Sequence, residues 1–529
     1  MRSLYWGDNL SVLRESVPDD SVDLIYLDPP FNSNRNYNVL FRENSTAESD
    51  AQIQAFTDTW HWGPQAALAF DELIYDNRVP QRVSDLIRAM HSFIGENDVM
   101  AYLVMMTLRL LELHRVLKST GSIYLHCDPT ASHYLKVVMD TIWGPRNFRN
   151  EIIWKRTPFA GSSKSRAIQY PRNHDILLFY TKSDARTWNR PTVPYTPEYL
   201  KRFKWIDERG AYRKTLLKTY SKETLERLKR ENRLIEPVRK GAMYSYKQYL
   251  HESSGNRQVD DVWTDINMLN PVSKERLGYP TQKPEALLER IIQSSSNPGD
   301  VVLDPFCGCG TAISVAERLN RNWIGIDITH LAITAIRYRL ESAFPDIEVN
   351  LDGIPKDLGG AQLLAETDRY GFQHWALSLV IAKPAATDST GKAKRGADKG
   401  IDGYISFVTS TPRLAGTCIV QVKSGHVTAA MVRDLRGTIE RDNADAGLFI
   451  TLDEPTTPMQ AESLQAGFFE SDFTQQRHPR MQILTIRELL NGAKPDLPPR
   501  YNPFQLSTAR QRGTVKQPDL FGSTRATGN

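Results

Sequence analysis

The 529-residue sequence predicts an α/β protein whose main domain is an open, largely parallel sheet. Three observations predict this fold class. Strand-like and helix-like segments alternate over residues 1–150, the alternation resumes after Pro280, and a Gly-rich turn joins a strand to a helix in the second block. A chain of this length is expected to form more than one domain.

The first block predicts strands and helices in alternation. The alternation of buried-looking strands with amphipathic helices is typical of βαβ units and therefore of parallel pairing. A further strand closes the block before a basic region begins. In chain order, the predicted elements are the strand VDLIYLDPP (22–30), the helix AYLVMMTLRLLELHRVL (101–117), the strand GSIYLHCDP (121–129), the helix SHYLKVVMDTIWG (132–144) and the strand HDILLFYTKS (174–183).

The first strand ends on Asp28-Pro29-Pro30-Phe31, followed by polar residues. Packing alone does not explain this arrangement, because Pro-Pro cannot continue the hydrogen-bond ladder of a sheet. As chemistry it presents a hydrogen-bond acceptor, a rigid turn and a flat ring together at the carboxyl end of a strand. Ligands of open α/β sheets bind at that end.

The second block predicts a helix in TQKPEALLERIIQSSS (281–296), opened by Thr281 and Pro284. The next stretch, GDVVLDPFCGCGTAISVAERLNRNWIGIDIT, predicts strand, Gly-rich turn, helix and strand. Gly308 and Gly310 allow a ligand to approach the backbone, and Asp327 ends the second strand, where an acid can accept from ribose hydroxyls. An ordinary βα turn is the alternative. The spacing GxGxxG is absent, which disfavours NAD and leaves another ribose-bearing cofactor.

Charge is concentrated in one region, although the net charge is only +4. Residues 155–250 hold 23 lysines and arginines against nine aspartates and glutamates, interleaved with tryptophans and tyrosines. A solvated helical face would explain part of this run, but the size of the excess and the aromatics favour contact with nucleic acid. Four scattered cysteines, no apolar run of membrane length and no signal-peptide pattern predict a cytoplasmic protein without a membrane segment.

The motifs LDPPF, LDPFCGCGT and GIDIT, in this order, resemble those of DNA amino-methyltransferases that use S-adenosylmethionine, specifically the permuted β class. The resemblance covers about residues 1–345 and implies a Rossmann-like, doubly wound sheet with a target-recognition insert. It implies that Asp28 and the Pro29 carbonyl accept hydrogen bonds from the exocyclic amine of a flipped base in double-stranded DNA. Pro30 would stiffen this turn, and Phe31 would stack on the base.

The same resemblance implies the cofactor site. Asp at position 28 favours adenine N6 as the methylated atom, and N4 of cytosine is the alternative. The implied cofactor contacts are Asp304, Phe306, Gly308, Gly310 and Thr311 at the methionine end, Asp327 at the ribose, Asp8 at the adenine, and Thr281, Gln282 and Lys283 near the carboxylate.

A second constellation, RGADKGIDGYISF followed by GTCIVQVKSGHVT, predicts a hairpin. Gln421 and Lys423 alternate on one strand and face the same side, and Asp402 precedes the other. The pattern resembles the Mrr-type branch of the PD-(D/E)xK restriction endonucleases, a smaller α/β fold. It implies Mg²⁺ held by Asp402 and by Glu366, with Gln421 and Lys423 completing the site. A domain that only binds DNA is the alternative.

We therefore predict a methyltransferase domain over 1–350 with an insert at 155–262, an endonuclease-like domain over 351–497 and a disordered tail over 498–529. The tail motif Gln517–Phe521 resembles a peptide that binds the replication sliding clamp. No phosphate-binding loop of an ATP motor occurs. The sequence leaves open whether the protein forms a homodimer, and a non-catalytic DNA-binding or defence-sensing protein is a rival interpretation.

Overall fold

The computed structural model describes residues 1–30, 36–40, 52–57, 61–158, 170–237, 239, 242–252, 256–270, 273, 275–277, 281–385, 400–410 and 414–500. The chain divides into two compact units, Trp188–Trp263 and the remainder. The smaller unit is shorter than the expected insert at 155–262, because the strand at His174–Thr181 belongs to the main sheet.

The larger unit begins with alternating strands and helices. The strands up to residue 187 are β1 (Arg2–Trp6), β2 (Val22–Leu27), β3 (Asn36–Leu40), β4 (Gln52–Thr57), β5 (Leu117–Cys127), β6 (Phe148–Lys155) and β7 (His174–Thr181). The helices are α1 (Asn9–Ser16), α2 (Pro64–Tyr75), α3 (Gln81–Ile94), α4 (Asp98–Val116) and α5 (Ser132–Trp143), followed by one turn of 3₁₀ helix at Pro145–Asn147.

The smaller unit consists of short strands and two helices. Its elements are β8 (Thr192–Pro194), α6 (Pro197–Leu200), β9 (Trp205–Asp207), β10 (Gly210–Leu216), α7 (Lys222–Arg230), β11 (Leu234–Ile235), β12 (Ser245–Tyr249), β13 (Asn256–Gln258) and β14 (Val262–Trp263). An antiparallel sheet with the order β11-β12-β10-β9 is its main feature.

The larger unit resumes with α8 (Glu285–Ser295), β15 (Val301–Asp304), α9 (Thr311–Arg318), β16 (Asn322–Asp327), α10 (His330–Ala343) and β17 (Asn350–Asp352). Within this unit the strands of the main sheet lie in the order β6-β7-β5-β2-β15-β16-β1-β17. From β5 to β17 neighbouring strands are parallel, whereas β7 runs antiparallel to both β5 and β6. The strand order changes direction between β2 and β15, which is where open α/β sheets bind ligands.

The helix α4 explains why this sheet is stable. Twelve of its nineteen residues are buried, and its Leu103, Leu110 and Leu113 belong to the core cluster that includes Ile25 of β2 and Ile123 of β5. Strands buried by helices carry continuous apolar runs rather than alternating ones. The run in VDLIYL of β2 therefore follows from its place in the middle of the sheet.

The C-terminal part of the larger unit has its own five-stranded sheet, with the order β18-β19-β20-β21-β24. A separate core cluster, which includes Trp375, Phe407 and Leu448, lies against it. The elements are α11 (Leu358–Thr367), α12 (Arg369–Leu379), β18 (Lys383–Pro384), β19 (Gly403–Ser410), β20 (Leu414–Lys423), α13 (Ala429–Arg441), β21 (Ala446–Thr451), α14 (Thr457–Gln465), β22 (Phe468–Ser471), β23 (Gln476–Pro479), β24 (Met481–Thr485) and α15 (Ile486–Leu490).

The stretch after residue 349 contributes the three-residue strand β17 to the main sheet. The predicted fold class is confirmed, and two local expectations are corrected. The helix α8 begins at Glu285 with Pro284 at its N-cap, so Thr281 does not open it. At the start of the expected tail, Pro499 accepts a hydrogen bond from the backbone of Val408, so this part is ordered. Residues 501–529, including the Gln517–Phe521 motif, lie outside the described residues.

A helix that crosses a bilayer needs about 20 predominantly apolar residues. None of the helices in the described ranges is both long enough and apolar enough to cross a membrane. The most apolar long helix, α4, is instead buried in the core of the larger unit.

Candidate active site

A cavity of about 350 Å³ lies at the carboxyl ends of β2 and β15. Its volume falls in the range of cofactor sites. Because β2 and β15 are adjacent and parallel, the segments that follow them meet at one edge of the sheet. Phe31 lies outside the described residues, and Pro29 and Gly310 are chain neighbours of lining residues. The predicted residues that line the cavity are Asp8, Asp28, Pro30, Thr281, Gln282, Lys283, Asp304, Phe306, Gly308, Thr311 and Asp327.

Asp28, the first residue after β2, forms an ion pair with Lys283. The carboxylate oxygen Oδ2 of Asp28 accepts a hydrogen bond from Nζ of Lys283. The Asp28 side chain is 15% exposed and the Lys283 side chain 11%. Lys283 Nζ also lies 3.5 Å from the carbonyl oxygen of Thr281. The expected catalytic carboxylate thus has a cation as a direct partner, which the sequence pattern did not predict.

The segment that carries Lys283 is held in a defined turn. Thr281 has a φ of 61°, in the left-handed region that non-glycine residues rarely adopt. The Gln282 amide accepts a hydrogen bond from the backbone N–H of Leu277 at 2.8 Å and donates one to the carbonyl of Glu275 at 2.6 Å. These contacts fix the backbone directly before α8, and therefore fix the origin of the Lys283 side chain.

The Gly-rich turn after β15 requires glycine. Gly308 and Gly310 have φ angles of 50° and 71°. A Cβ atom on Gly310 would lie only 2.7 Å from Cγ1 of Ile336. The Gly310 N–H donates to the carbonyl of Cys307 at 2.7 Å, and α9 starts at Thr311. The turn therefore brings the backbone and the start of a helix to the cavity, as a cofactor loop needs.

Two carboxyl groups flank this turn, the buried Asp304 and the half-buried Asp327. Asp304 is 3% exposed, and burial raises the pKa of its carboxyl well above the usual range. Burial also raises the pKa of Asp327 to about 6, against hydrogen bonds that favour its charged form. Those hydrogen bonds come from the N–H of Gly308 at 2.9 Å and from the N–H and hydroxyl of Thr329 at 2.8 Å each. A positively charged ligand would favour ionisation of both groups.

Asp8 lies at the N-terminus of α1 and pairs with a buried arginine of α4. Arg109, which is 4% exposed, donates to Asp8 Oδ2 at 2.7 Å and to Asn9 Oδ1 at 2.5 Å. Asn9 donates in turn to the carbonyl of Pro305 at 2.8 Å. Arg109 lines the cavity and was not predicted, although an arginine inside the apolar run MMTLRLLEL was a signal for it.

A buried polar chain behind Asp28 was also missed by sequence reasoning. The Tyr26 hydroxyl lies 3.0 Å from Nδ1 of His126, and Nε2 of His126 lies 3.3 Å from Asp175. These three residues are at most 5% exposed. They join the ends of β2 and β5 to the start of β7. Polar residues within apolar strands, as in IYLHC and HDILLFY, were the available signal.

In the C-terminal sheet, Asp402 precedes β19 and contacts both a helix and the neighbouring strand. Its Oδ1 accepts a hydrogen bond from Nε2 of Gln373 at 2.8 Å, and its Oδ2 accepts from the N–H of Val422 at 2.7 Å. Gln373, on α12, was not predicted. Glu366, the acid expected at this site, is exposed on α11.

Gln421 and Lys423 lie on β20 two residues apart, as the alternation predicted. Gln421 is 7% exposed, and its Oε1 atom has no hydrogen-bond partner among the described residues. A buried carbonyl oxygen without a donor is costly, and a hard cation is a partner that suits it. Within the described ranges, no group of three or more His, Cys, Asp or Glu side chains is placed to hold a metal.

The smaller unit places cationic side chains over aromatic rings, in agreement with its basic composition. The ammonium groups of Lys204 and Lys214 lie 4.6 and 4.8 Å from the ring centre of Trp205. The guanidinium of Arg213 lies 5.2 Å from the ring centre of Tyr199. Such pairs offer both charge and flat surfaces, which phosphates and bases can use.

Comparison with known proteins identifies both parts of the chain. Residues 22–337 match the family model described as DNA methylase, of the N6- and N4-amino type. Residues 364–467 match the model described as restriction endonuclease, of the Mrr catalytic type. Since the first match covers more than half of the chain, the protein belongs to this DNA methylase family. It is a methyltransferase of the restriction–modification kind that uses S-adenosylmethionine, with a C-terminal Mrr-like domain.

Two relatives, both type II methyltransferases, agree with this assignment. The type II methyltransferase M.EcaI of Enterobacter cloacae is 26% identical over 64% of this chain and 69% of its own length. M.HpaI of Haemophilus parainfluenzae is 30% identical over 47% of this chain and 63% of its own. Among solved structures, the cytosine-N4-specific PvuII DNA methyltransferase is 15% identical, with 66% of this chain and 95% of that one covered and a TM-score of 0.35.

Proposed function

We propose that the N-terminal part, residues 1–350 with the insert at 155–262, methylates N6 of an adenine flipped out of double-stranded DNA. The observation that carries this proposal is a cavity that is lined both by Asp28 and by the Gly-rich turn with Asp304 and Asp327. A base must leave the helical stack before its amine can enter such a cavity.

In the proposed reaction, S-adenosylmethionine supplies an electrophilic methyl group. Asp28 and the carbonyl of Pro29 accept the two N–H groups of the amine and so direct its lone pair at that methyl group. A nitrogen–carbon bond forms while the carbon–sulfur bond breaks, and the electron pair of the broken bond stays on sulfur. The amine then loses a proton, for which the Asp28 carboxylate is the proposed acceptor.

The remaining residues bind and orient the reactants. Pro30 stiffens the turn, and Phe31 is proposed to stack on the base, a contact of about 1–3 kcal/mol. Asp304 complements the positive charge of the cofactor, Asp327 accepts from the ribose hydroxyls, and Asp8 faces the adenine. The proposed contacts of the methionine end are Phe306, Gly308, Gly310 and Thr311, with Thr281, Gln282 and Lys283 near its carboxylate.

The test is transfer of a radiolabelled methyl group from S-adenosylmethionine to unmethylated DNA, followed by digestion to nucleosides. We expect label in N6-methyladenine from the wild type and none from Asp28→Ala. Asp128→Ala is the matched control, because Asp128 also precedes a proline after a strand of the same sheet but only caps Thr130 and Ala131 locally. Label in N4-methylcytosine would show that the methylated base is cytosine and not adenine. The absence of label would overturn the proposal.

We further propose that the Mrr-like domain, residues 351–497, cleaves DNA with Mg²⁺. The unpartnered Oε1 of buried Gln421 supports this proposal, because a buried amide oxygen without a donor suits a hard cation. Asp402 and Gln421 would hold the ion and Lys423 would orient a water molecule, while Mg²⁺ would activate the phosphodiester for hydrolysis. A role for Glu366 as a metal ligand stays a prediction.

Substitution of Lys423 separates cleavage from mere DNA binding. Lys423→Ala should abolish Mg²⁺-dependent fragmentation of unmethylated DNA, while Lys494→Ala, an exposed lysine of the same domain, should not. If the wild type binds DNA and never fragments it, the domain is a DNA-binding module. DNA contact by the basic unit, docking of Gln517–Phe521 on a sliding clamp, a homodimer and a cytoplasmic location stay predictions.

A further inference from the structure

Lys283 has one carboxylate partner in the structure and would face a second carboxylate once the cofactor binds. It cannot form a close ion pair with both at the same time. In the structure its ammonium group pairs with Asp28. The cofactor would bring a second carboxylate, that of its methionine end, to the same wall of the cavity. The inference below rests on the proposed function, because it assumes that S-adenosylmethionine binds here.

Among the described residues that line the cavity, the permanently charged cations are Lys283 and Arg109. Arg109 is committed to Asp8 and Asn9 by hydrogen bonds of 2.7 and 2.5 Å and is 4% exposed. If the buried guanidinium of Arg109 left these partners, its charge would stay buried without a counter-charge, which is strongly destabilising. Lys283 is therefore the cation that can turn to an incoming carboxylate.

The backbone on either side of Lys283 stays fixed during such a turn. Gln282 ties the preceding segment to Leu277 and Glu275, and Pro284 caps α8. The long lysine side chain has four rotatable bonds and can change direction without movement of the main chain. The exchange thus requires only a side-chain rotation within a preformed cavity.

We infer that Lys283 exchanges partners, pairing with Asp28 in the free protein and with the carboxylate of the cofactor in the complex. This exchange releases Oδ2 of Asp28, so that the carboxylate becomes able to accept the amine of the base. Cofactor binding therefore prepares the base site, and by linkage a bound base strengthens cofactor binding. Lys283 acts as a positioning residue that sets the order of binding.

The inference has an unusual consequence for the Asp28→Asn variant. Because the neutral amide holds Lys283 less strongly, this variant should bind S-adenosylhomocysteine more tightly than the wild type, by about fivefold or more. Isothermal titration calorimetry without DNA measures this directly. S-Adenosylhomocysteine lacks the sulfonium charge, so the loss of the Asp28 charge does not act through that group. 5′-Methylthioadenosine, which lacks the carboxylate, should bind both proteins equally.

The double variant completes the test. In a Lys283→Met background, Asp28→Asn should no longer tighten S-adenosylhomocysteine binding, and Asp128→Asn should not tighten it in any background. Unchanged or weaker binding by Asp28→Asn, or tightening that persists without Lys283, overturns the inference. If the wild type fails to bind S-adenosylhomocysteine at all, the proposed function itself fails. Thermal melting of each variant confirms that it is folded.

Discussion

The two predicted reaction sites each contain an aspartate at the end of a strand, but the partners of these aspartates differ. Asp28 pairs with the ammonium of Lys283, whereas Asp402 accepts from the amide of Gln373 and from a backbone N–H. In the free protein, the ammonium of Lys283 thus occupies Oδ2 of Asp28. The two hydrogen bonds described for Asp402 come from amide groups, and carboxylate and amide oxygens are ligands that suit Mg²⁺. The same side chain therefore has different partners at the two sites, in line with the two proposed reactions.

The largest expected effects come from neutralising each aspartate in turn. Asp28→Asn should lower methyl transfer by about a thousandfold and leave DNA cleavage unchanged, because the amide keeps an acceptor oxygen but lacks the negative charge that orients the reacting amine and takes up its proton. Asp402→Asn should abolish cleavage and leave methyl transfer within about twofold of the wild type. Both reactions are measured on the same DNA, with labelled cofactor and by gel electrophoresis. Loss of both activities in either variant would contradict independent sites.

The next effect compares two glycines of similar conformation. Gly310 and Gly400 have φ angles of 71° and 69°, but an added Cβ would lie 2.7 Å from Ile336 at the first and 3.1 Å from the Gln421 amide at the second. Gly310→Ala should lower the free energy of unfolding by about 2–4 kcal/mol, because overpacking adds to backbone strain. Gly400→Ala should cost about 1–2 kcal/mol, because strain dominates. Denaturant unfolding checks both values, and equal costs would contradict the comparison.

The ionisation of Asp327 should change the affinity for the cofactor product about tenfold. Its pKa is raised from an ordinary 3.8 to about 6, so its contribution to stability is present below the ordinary value and lost as pH rises through about 6. Cofactor affinity should depend on pH in the opposite direction, because the ribose hydroxyls donate hydrogen bonds to the ionised carboxylate of Asp327. Affinity for S-adenosylhomocysteine should fall about tenfold from about pH 7.5 to about pH 5. Asp327→Asn should flatten this dependence in calorimetry, and an unchanged slope would assign it to another group such as Asp304.

The smallest effect tests the amide of Gln373 as a partner of Asp402. Gln373→Glu adds a second carboxylate, which should lower the melting temperature without metal and reduce the Mg²⁺ concentration for half-maximal cleavage by about threefold. Gln373→Leu, which removes the amide without adding charge, should raise that concentration. Melting curves with and without Mg²⁺ and a cleavage titration check both. An equal response of the two variants would mean that Gln373 does not influence the metal.

The two sites also differ in how well their residues could be predicted from the sequence. Asp28, Asp304, Gly310 and Asp327 lie at the carboxyl ends of strands or in the turns that follow them, where a ligand site imposes glycine, proline and acid at close spacing. Gln373 belongs to a helix, and its contact with Asp402 arises only from packing of α12 on the second sheet. A polar residue on an amphipathic helix has no special spacing, so the sequence does not distinguish Gln373 from the other polar residues of its helix.

Long-range pairing explains the other omissions. Strand β1 and the three residues of β17 have little apolar signal, since their place depends on neighbours distant in the chain. The ion pair of Asp28 with Lys283 joins residues 255 positions apart. The order of the motifs predicted that both segments approach the cofactor, but side-chain direction depends on the turn that Gln282 stabilises.

Strand β1 is synthesised first but can pair only after its partner strands, far later in the chain, have been made. Its Trp6 bonds to Ile328, 322 residues later in the chain, and β1 lies between β16 and β17. The later of its two partner strands, β17, ends at Asp352, so at a synthesis rate of about 5–20 residues per second β1 waits roughly 17–70 seconds for both partners. By then translation has passed residue 352 but has not reached Asp402 or Lys423. All strands of the methyltransferase sheet are therefore synthesised before Asp402 and Lys423 of the Mrr-like domain.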